Sequence, residues 1–160
     1  MKTYIIYTDG SDFKKTTRRL GVGGILIDPS EGGSYGKKIG EFSEELDRGK
    51  LELEYGASEA SNPFAELFAT YYALRNFSGV FKPGDRIIMR ADYEGVQKWL
   101  TGKWRASTPY IKKLHTQIKQ ILDNSPWKVD FEWVKGHQLK SVLDPDAFWN
   151  NEVDKLAKGK

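Results

Sequence analysis

Apolar and polar residues along the chain fall into short blocks of two periods, and most blocks end on turn-forming residues. Residues 4–7 are an apolar, β-rich run stopped by Thr8, Asp9, Gly10 and Ser11, the pattern of a strand entering a turn. Residues 21–27 resume as a strand, closed by Asp28-Pro29-Ser30 with Gly32 and Gly33. Residues 35–42 and 51–55 alternate apolar with polar side chains, as half-buried strands do, and Glu44, Glu45 and Asp47 read as a solvated connection between them. Asn62-Pro63 then opens a helix. Asn62 suits the cap and Pro63 the first helical position, while Phe64, Leu67, Phe68, Tyr71 and Leu74 recur at helical spacing and Gly79 follows the end. Residues 86–89 form a short strand leading to Ala91-Asp92, and residues 95–100 a short helix broken by Thr101-Gly102. Pro109 begins a longer helix with the stripe Ile111, Leu114, Ile118, Ile121 and Leu122. Residues 127–134 alternate as a last strand, and residues 148–157 form a final helix. Strands alternating with helices in the later half predict an α/β mixed sheet covered by helices.

Composition narrows the possibilities. A chain of 160 residues fits one domain, and 39% hydrophobic with 13% aromatic residues supplies a core and excludes a disordered chain. The absence of cysteine excludes a disulfide framework, a thiolate zinc site and a cysteine nucleophile. The first apolar run is too short for a secretory leader, and no stretch approaches the ~20 apolar residues that cross a bilayer. The chain therefore reads as soluble and cytoplasmic. Gly21-Val22-Gly23-Gly24 leads into a strand, whereas dinucleotide binding needs its glycines between strand and helix; Gly36-Lys37-Lys38 lacks the Ser/Thr of a phosphate loop.

The net charge of +3 is an average over unlike segments. Residues 41–66 carry eight acids and two bases, whereas residues 97–122 carry six bases (Lys98, Lys103, Arg105, Lys112, Lys113 and Lys119) and no acid, with Trp99, Trp104 and Tyr110 interleaved. Part of this basic segment is a solvated helix face with core aromatics, but basic and aromatic residues together also suit a phosphate-tracking groove. Lys14, Lys15, Arg18 and Arg19 offer a second basic cluster.

Four acids stand where apolar elements must bury a face: Asp9 after the first strand, Glu66 on the first turn of the aromatic helix, Asp92 after residues 86–89, and Asp154 between Val153 and Leu156 in the last helix. Taken singly, each is an ordinary cap or surface group. Together, their side chains can converge at one edge of the core, where hard divalent cations prefer oxygen ligands and relieve mutual repulsion. Rivals stand nearby: Asp12 for Asp9, Glu59 for Glu66, and Asp144 or Asp146 for Asp154.

The words around these acids carry a resemblance. Tyr7-Thr8-Asp9-Gly10-Ser11, Asn62-Pro63-Phe64-Ala65-Glu66-Leu67, Asp92 after a strand, Trp133-Val134-Lys135-Gly136-His137, and Asn150-Asn151-Glu152-Val153-Asp154-Lys155-Leu156-Ala157 together resemble type 1 ribonuclease H, in the family's order and over nearly the whole chain. The resemblance implies a ribonuclease H-like fold: one domain with a five-stranded mixed sheet, its first three strands antiparallel, flanked by helices. It implies metal-dependent endonucleolytic hydrolysis of the RNA strand of RNA–DNA hybrids, leaving 5′-phosphate and 3′-hydroxyl ends. Asp9 would bridge two Mg²⁺ ions, with Mn²⁺ a possible substitute; Glu66 and Asp92 would hold one ion and Asp154 would complete the other. One ion would activate the attacking water and the other would stabilise the leaving 3′-oxygen. His137 would assist proton transfer or product departure; His115 has no such context. Backbone groups of Gly10 and Ser11 and the Asn62 side chain would read 2′-hydroxyls, with Asn150 a further contact. Trp99, Lys103 and Trp104 would meet the DNA strand. No organic cofactor and no membrane partner are implied, and a monomer is expected.

Departures from the family pattern are specific. Tyr93 stands where Ser usually follows the third acid, Asn151 replaces a Glu, and residues 138–149 make a longer stretch than expected before the last acid. Asp154 is preferred to Asp144 and Asp146 because Lys155-Leu156-Ala157 continues the family's helix. Glu66 is preferred to Glu59 because it follows Asn62 at the family's spacing and starts the amphipathic helix. Residues 101–110 are short for the family's basic handle, so a reduced handle is expected. The methionine start and the lack of a preceding domain favour a free-standing enzyme. A hybrid-binding module without catalysis is the second reading, and four retained acids argue against it.

Overall fold

The computed structural model describes residues 1–12, 19–55, 62–106, 108–134 and 144–159. Strands β1 (Thr3–Asp12), β2 (Arg19–Asp28) and β3 (Lys37–Asp47) come first, followed by helices α1 (Arg48–Tyr55) and α2 (Asn62–Phe77). Strand β4 (Arg86–Ala91), helices α3 (Glu94–Leu100) and α4 (Pro109–Asp123), strand β5 (Lys128–Trp133) and helix α5 (Pro145–Ala157) complete the order. The strands lie in the sequence β3-β2-β1-β4-β5, antiparallel within β1, β2 and β3 and parallel from β1 through β4 to β5. This is the expected five-stranded mixed sheet.

The sheet has two unequal apolar faces. Tyr4 and Ile6 of β1, Leu20, Val22 and Leu26 of β2, and Ile87 and Met89 of β4 face the larger core with α2. Each large aliphatic side chain buried there stabilises the fold by about 1.5–3 kcal/mol relative to exposure. Ala65, Ala69 and Ala73 are buried along α2, where small side chains permit close packing. Ile111, Leu114 and Ile118 of α4 form the buried stripe of a strongly amphipathic helix that packs on α2. On the opposite face Tyr7, Ile25 and Ile27 pack with Trp149 and Val153 of α5. Strand β2 is thus covered on both faces, which accounts for its nearly continuous apolar run.

Four expectations need correction. Residues 51–55 are the second half of α1 and not a strand. Leu51 and Tyr55 are buried, a pair that fits either period at spacing four, while Leu53, which a strand would place on their face, is 87% exposed. Thr8, Asp9, Gly10 and Ser11 do not turn: they continue β1 and pair with Gly24, Gly23, Val22 and Gly21 of β2. Glu44, Glu45 and Asp47 are part of β3, not a connection, and their charge lies on an edge strand, a placement that discourages further pairing. Helix α5 also begins earlier than expected, at Pro145, because Asp144 caps it by accepting the Asp146 N–H at 3.0 Å.

Two glycines decide how closely the helices approach the sheet. A Cβ on Gly10 would stand 2.2 Å from the Ala65 carbonyl carbon and 2.5 Å from the Glu66 nitrogen, so α2 rests on β1 backbone to backbone. A Cβ on Gly23 would stand 2.7 Å from the Ala157 nitrogen and 2.9 Å from the Val153 oxygen, so α5 rests on β2 in the same way. Gly10→Ala is therefore expected to cost about 1–3 kcal/mol or more through overpacking, lowering Tm by about 2–4 °C for each kcal/mol. Gly79, whose added Cβ meets nothing within 4 Å, is the control. Equal thermal stability of Gly10→Ala and Gly79→Ala would show that the backbone contact is not a constraint.

Candidate active site

The register of the parallel strands places the first two acids. Thr8 of β1 pairs with Ala91 of β4, so the next residues, Asp9 and Asp92, emerge side by side at the same end of the sheet. Gly10 then admits α2, and Glu66, the fifth residue of that helix and just past its first turn, reaches the same place. Asp9, Glu66 and Asp92 each present a carboxylate oxygen, and these oxygens lie within 4.8 Å of one another. The Gly10 N–H donates to Asp9 Oδ1 at 3.1 Å and to Glu66 Oε1 at 3.2 Å, a fork that orients both groups. Across the strand, Asp9 pairs with Gly23, the residue on which α5 rests. Asp154 of α5 accordingly comes to hydrogen-bond Asp9 from the other face of the sheet. The four acids come from three structural layers and meet at one sheet end.

Their electrostatics are adverse. Asp9 is 3% exposed and Glu66 5% exposed. Burial pushes the Asp9 carboxyl well above the ordinary carboxylate range, and the charges of Glu66 and Asp92 and the hydrogen bond that the protonated Asp9 carboxyl donates to Asp154 push it further. Burial also raises Glu66, with the Asp92 charge next, against a partial opposing effect of hydrogen bonds from Asp9 and Gly10. A largely buried, all-oxygen donor set with surplus negative charge could hold a hard divalent cation.

The remaining expected residues divide. Asp144 serves as the α5 cap, and Asp146 accepts hydrogen bonds from the Tyr7 hydroxyl at 2.5 Å and from Arg90 at 3.0 Å, so neither rival to Asp154 belongs to the cluster. His137, Glu59, Lys14, Lys15 and Arg18 lie outside the described residues, as do the side chains of Asp12 and Asn62. Gly10 is buried with its N–H committed to the carboxylates, Ser11 is half-buried, and Asn150 is buried one turn before Asp154. Tyr93 packs its ring over Gly95 and lies within range of the Glu66 charge. From Tyr93 the rings continue outward, to Trp99 at 5.9 Å and then Trp104 at 6.0 Å, the last 42% exposed. Lys103 is exposed beside them, and Trp99, Trp104, Arg105, Lys112 and His115 border an open pocket of about 420 Å³. His115 binds the Trp99 carbonyl at 2.9 Å, a structural role.

The RNase H family model matches residues 1–160, the whole chain. The chain belongs to the RNase H family of endoribonucleases. Solved structures agree in fold. LC11-RNase H1, isolated from compost, is 20% identical with a TM-score of 0.72, covering 99% of this chain and 95% of that one. RNase H1 from the halophilic archaeon Halobacterium salinarum is 21% identical with a TM-score of 0.67, covering 98% and 95%. LC11-RNase H1 in complex with an RNA/DNA hybrid is 19% identical with a TM-score of 0.71, covering 98% and 94%. No curated protein sequence gives a significant match. No helix among the described residues is long and apolar enough to cross a membrane.

Three features of the site escape the sequence reading. The Trp133 indole N–H donates to the Asp92 carbonyl at 3.0 Å and fixes the chain that carries the third acid. Tyr7, Arg90 and Asp146 bond the start of α5 to β1 and β4. Lys158 places its ammonium 3.0 Å from Asp154 Oδ2, and the i,i+4 spacing is a signal that was open to view.

The raised carboxyls make stability depend on pH with a definite sign. Folded, metal-free protein holds protons on Asp9 and Glu66 above the unfolded carboxyl range near ~4, where the unfolded chain has already released them. With chelator present, Tm is therefore expected to fall as pH rises from about 5 through neutrality. Asp9→Asn should raise metal-free Tm at pH 8 by a few degrees, about 2–4 °C for each kcal/mol of relieved repulsion. A lower metal-free Tm for Asp9→Asn at that pH would contradict the proposed crowding.

Proposed function

We propose that this chain hydrolyses the RNA strand of RNA–DNA hybrids endonucleolytically, leaving 5′-phosphate and 3′-hydroxyl ends, with two divalent cations as cofactors. The observation that carries this reading is the convergence of Asp9, Glu66 and Asp92, with Asp154 against Asp9, in a chain of the RNase H family. A hybrid substrate is supported by the solved hybrid complex of LC11-RNase H1. Mg²⁺ is the proposed ion and Mn²⁺ its substitute, and the enzyme acts as a single-domain monomer in the cytoplasm.

Asp9, Glu66, Asp92 and Asp154 are the carboxylates that would hold the ions, Glu66 and Asp92 on one side of Asp9 and Asp154 on the other. Bound there, the ions supply Lewis-acid activation of water and charge stabilisation at the leaving oxygen. The protein's part is to hold four carboxylates where separate charges would otherwise push them apart. Gly10 fixes the Asp9 and Glu66 oxygens through its N–H, and Trp133 fixes the backbone of Asp92. In the net reaction a water oxygen bonds to phosphorus, the P–O3′ bond breaks, and a proton passes to the 3′-oxygen. His137 is the proposed aid to that transfer or to product departure.

The aromatic series from Tyr93 to Trp104, with Lys103 beside it, is the proposed contact for the DNA strand. Residues 101–108 alone join α3 to α4, so this contact takes the place of a longer basic handle. Gly10, Ser11, Asn62 and Asn150 remain the proposed residues on the RNA side, where 2′-hydroxyls mark the strand.

The test is a cleavage panel of labelled RNA–DNA hybrid, RNA duplex and DNA duplex with Mg²⁺, Mn²⁺ or chelator. Cutting should be confined to the RNA of the hybrid and should require the metal. Asp92→Asn should slow it by about 10³-fold or more, equivalent to roughly 4 kcal/mol of transition-state stabilisation. Folded protein that leaves the hybrid intact with every metal would end the proposal, and preferential cutting of RNA duplex would replace its substrate. For the DNA contact, Lys103→Ala should reduce the slope of log affinity against log salt by about 0.9, one phosphate's worth. Trp104→Ala should weaken hybrid binding by about 1–3 kcal/mol. Unchanged binding by both variants would place the DNA strand elsewhere.

A further inference from the structure

Lys158 is a cation inside an anionic site, and nothing in the proposed reaction uses it. It is the residue that caps α5, with Gly159 behind it in the left-handed conformation at φ +81°, so the helix ends where the ammonium is needed. Its Nζ lies 3.0 Å from Asp154 Oδ2, and the charges of Asp9 and Asp92 also act on it. The neighbouring lysine of α5 behaves differently: Lys155 pairs with Glu152 at 3.4 Å, away from the cluster. The Lys158 side chain is 58% exposed on a flexible four-carbon stem, so it can leave its partner without disturbing the core.

We propose that Lys158 is a built-in counter-ion of the metal centre: it occupies the Asp154 carboxylate that the second divalent cation needs, and it must swing outward for that cation to bind. The inference rests on the two-ion reading above. The geometry makes the two ion positions unequal. The Glu66 and Asp92 position has no direct ion pair with the lysine and feels its charge only at longer range, whereas the Asp154 position must exchange one positive partner for another. Lys158 thus stabilises the metal-free site and weakens the second ion's hold. Because an exposed ion pair has a small free energy, the competition amounts to about a two- to fivefold change in affinity.

The experiment is calorimetric titration of the full chain with Mn²⁺ alone, using the natural protein, K158M, K158Q, K158R and K155M, with Tm measured in chelator and in saturating Mn²⁺. Removing the charge should tighten the weaker binding step about two- to fivefold and move the tighter step less. K158R and K155M should match the natural protein. K158M and K158Q should also lose Tm in chelator but not in saturating Mn²⁺. Unchanged or weaker binding in both folded charge-removing variants would overturn the proposal. So would a raised KM for hybrid and a reduced salt slope with both metal steps unaltered, because Lys158 would then serve a substrate phosphate. The underlying reading fails separately: natural protein that takes up no Mn²⁺, or Asp92→Asn that binds it unchanged, removes the metal site itself and the lysine proposal with it.

Discussion

A backbone contact at Gly10 sets the terms for everything around it. Asp9 stands on β1, and the residue after it must lack a Cβ for α2 to lie directly on the strand. That approach carries Glu66 to the same end of the sheet as Asp9 and Asp92, and it lets one backbone N–H serve two carboxylates. Gly23, across the ladder from Asp9, performs the same service for α5 and Asp154. The acid at the centre is therefore flanked by two bare backbone positions, one next to it in the chain and one across the sheet. Any larger residue at either place would push a helix, and its carboxylate, away from the cluster.

Close approach creates repulsion, and the fold has to hold the helices against it. On the α2 side the large core does this, with Phe64, Leu67 and Leu74 fully buried between sheet and helices. On the α5 side the apolar cluster is small, and polar bonds supplement it. Tyr7, two residues before Asp9 on the same strand, donates to Asp146 in the first turn of α5, and Arg90 joins both from β4. Arg90 in turn pairs with Glu132 of β5 at 2.8 Å. A row of polar groups across three parallel strands thus fixes the start of the helix whose far end carries Asp154. Burial and the bond to Asp146 keep the Tyr7 phenol neutral, so it remains a donor.

The sheet, the long helices and the meeting of Asp9, Glu66 and Asp92 at one sheet end were legible in the sequence, since each rests on a local pattern. The helix at α4 has a clean stripe and a proline at its start, and the words around Asp9, Glu66 and Asp154 sit on elements of the expected type. Residues 51–55 were not legible in the same way. Leu51 and Tyr55 satisfy both a strand and a helix, and only the exposure of Leu53 separates them, a fact set by tertiary packing. Asp144, Asp146 and Asp154 posed the same difficulty for the site. All three are acids near the start or body of one helix, and what separates them is what lies opposite: a backbone N–H for Asp144, Tyr7 and Arg90 for Asp146, and Asp9 for Asp154.

The arrangement of charge follows the same geometry at longer range. The acids Glu41, Glu44, Glu45 and Asp47 are exposed on β3, one edge of the sheet, while Lys103, Arg105, Lys112, Lys113 and Lys119 are exposed on α4 and the segment leading into it, which packs with the core on the α2 face. The carboxylate cluster lies between, at the ends of β1 and β4. A polyanion approaching this site meets repulsion from the β3 edge and attraction from the α3–α4 side, within a screening length of about 8 Å at physiological salt. The carboxylates themselves would repel the same polyanion unless cations neutralise them. A divalent cation held there would have two effects from one cause: it would relieve the crowding around Asp9, and it would complete a surface on which a phosphate backbone could rest. The small net charge conceals this because it averages an acidic edge, a basic flank and a centre whose charge depends on what is bound.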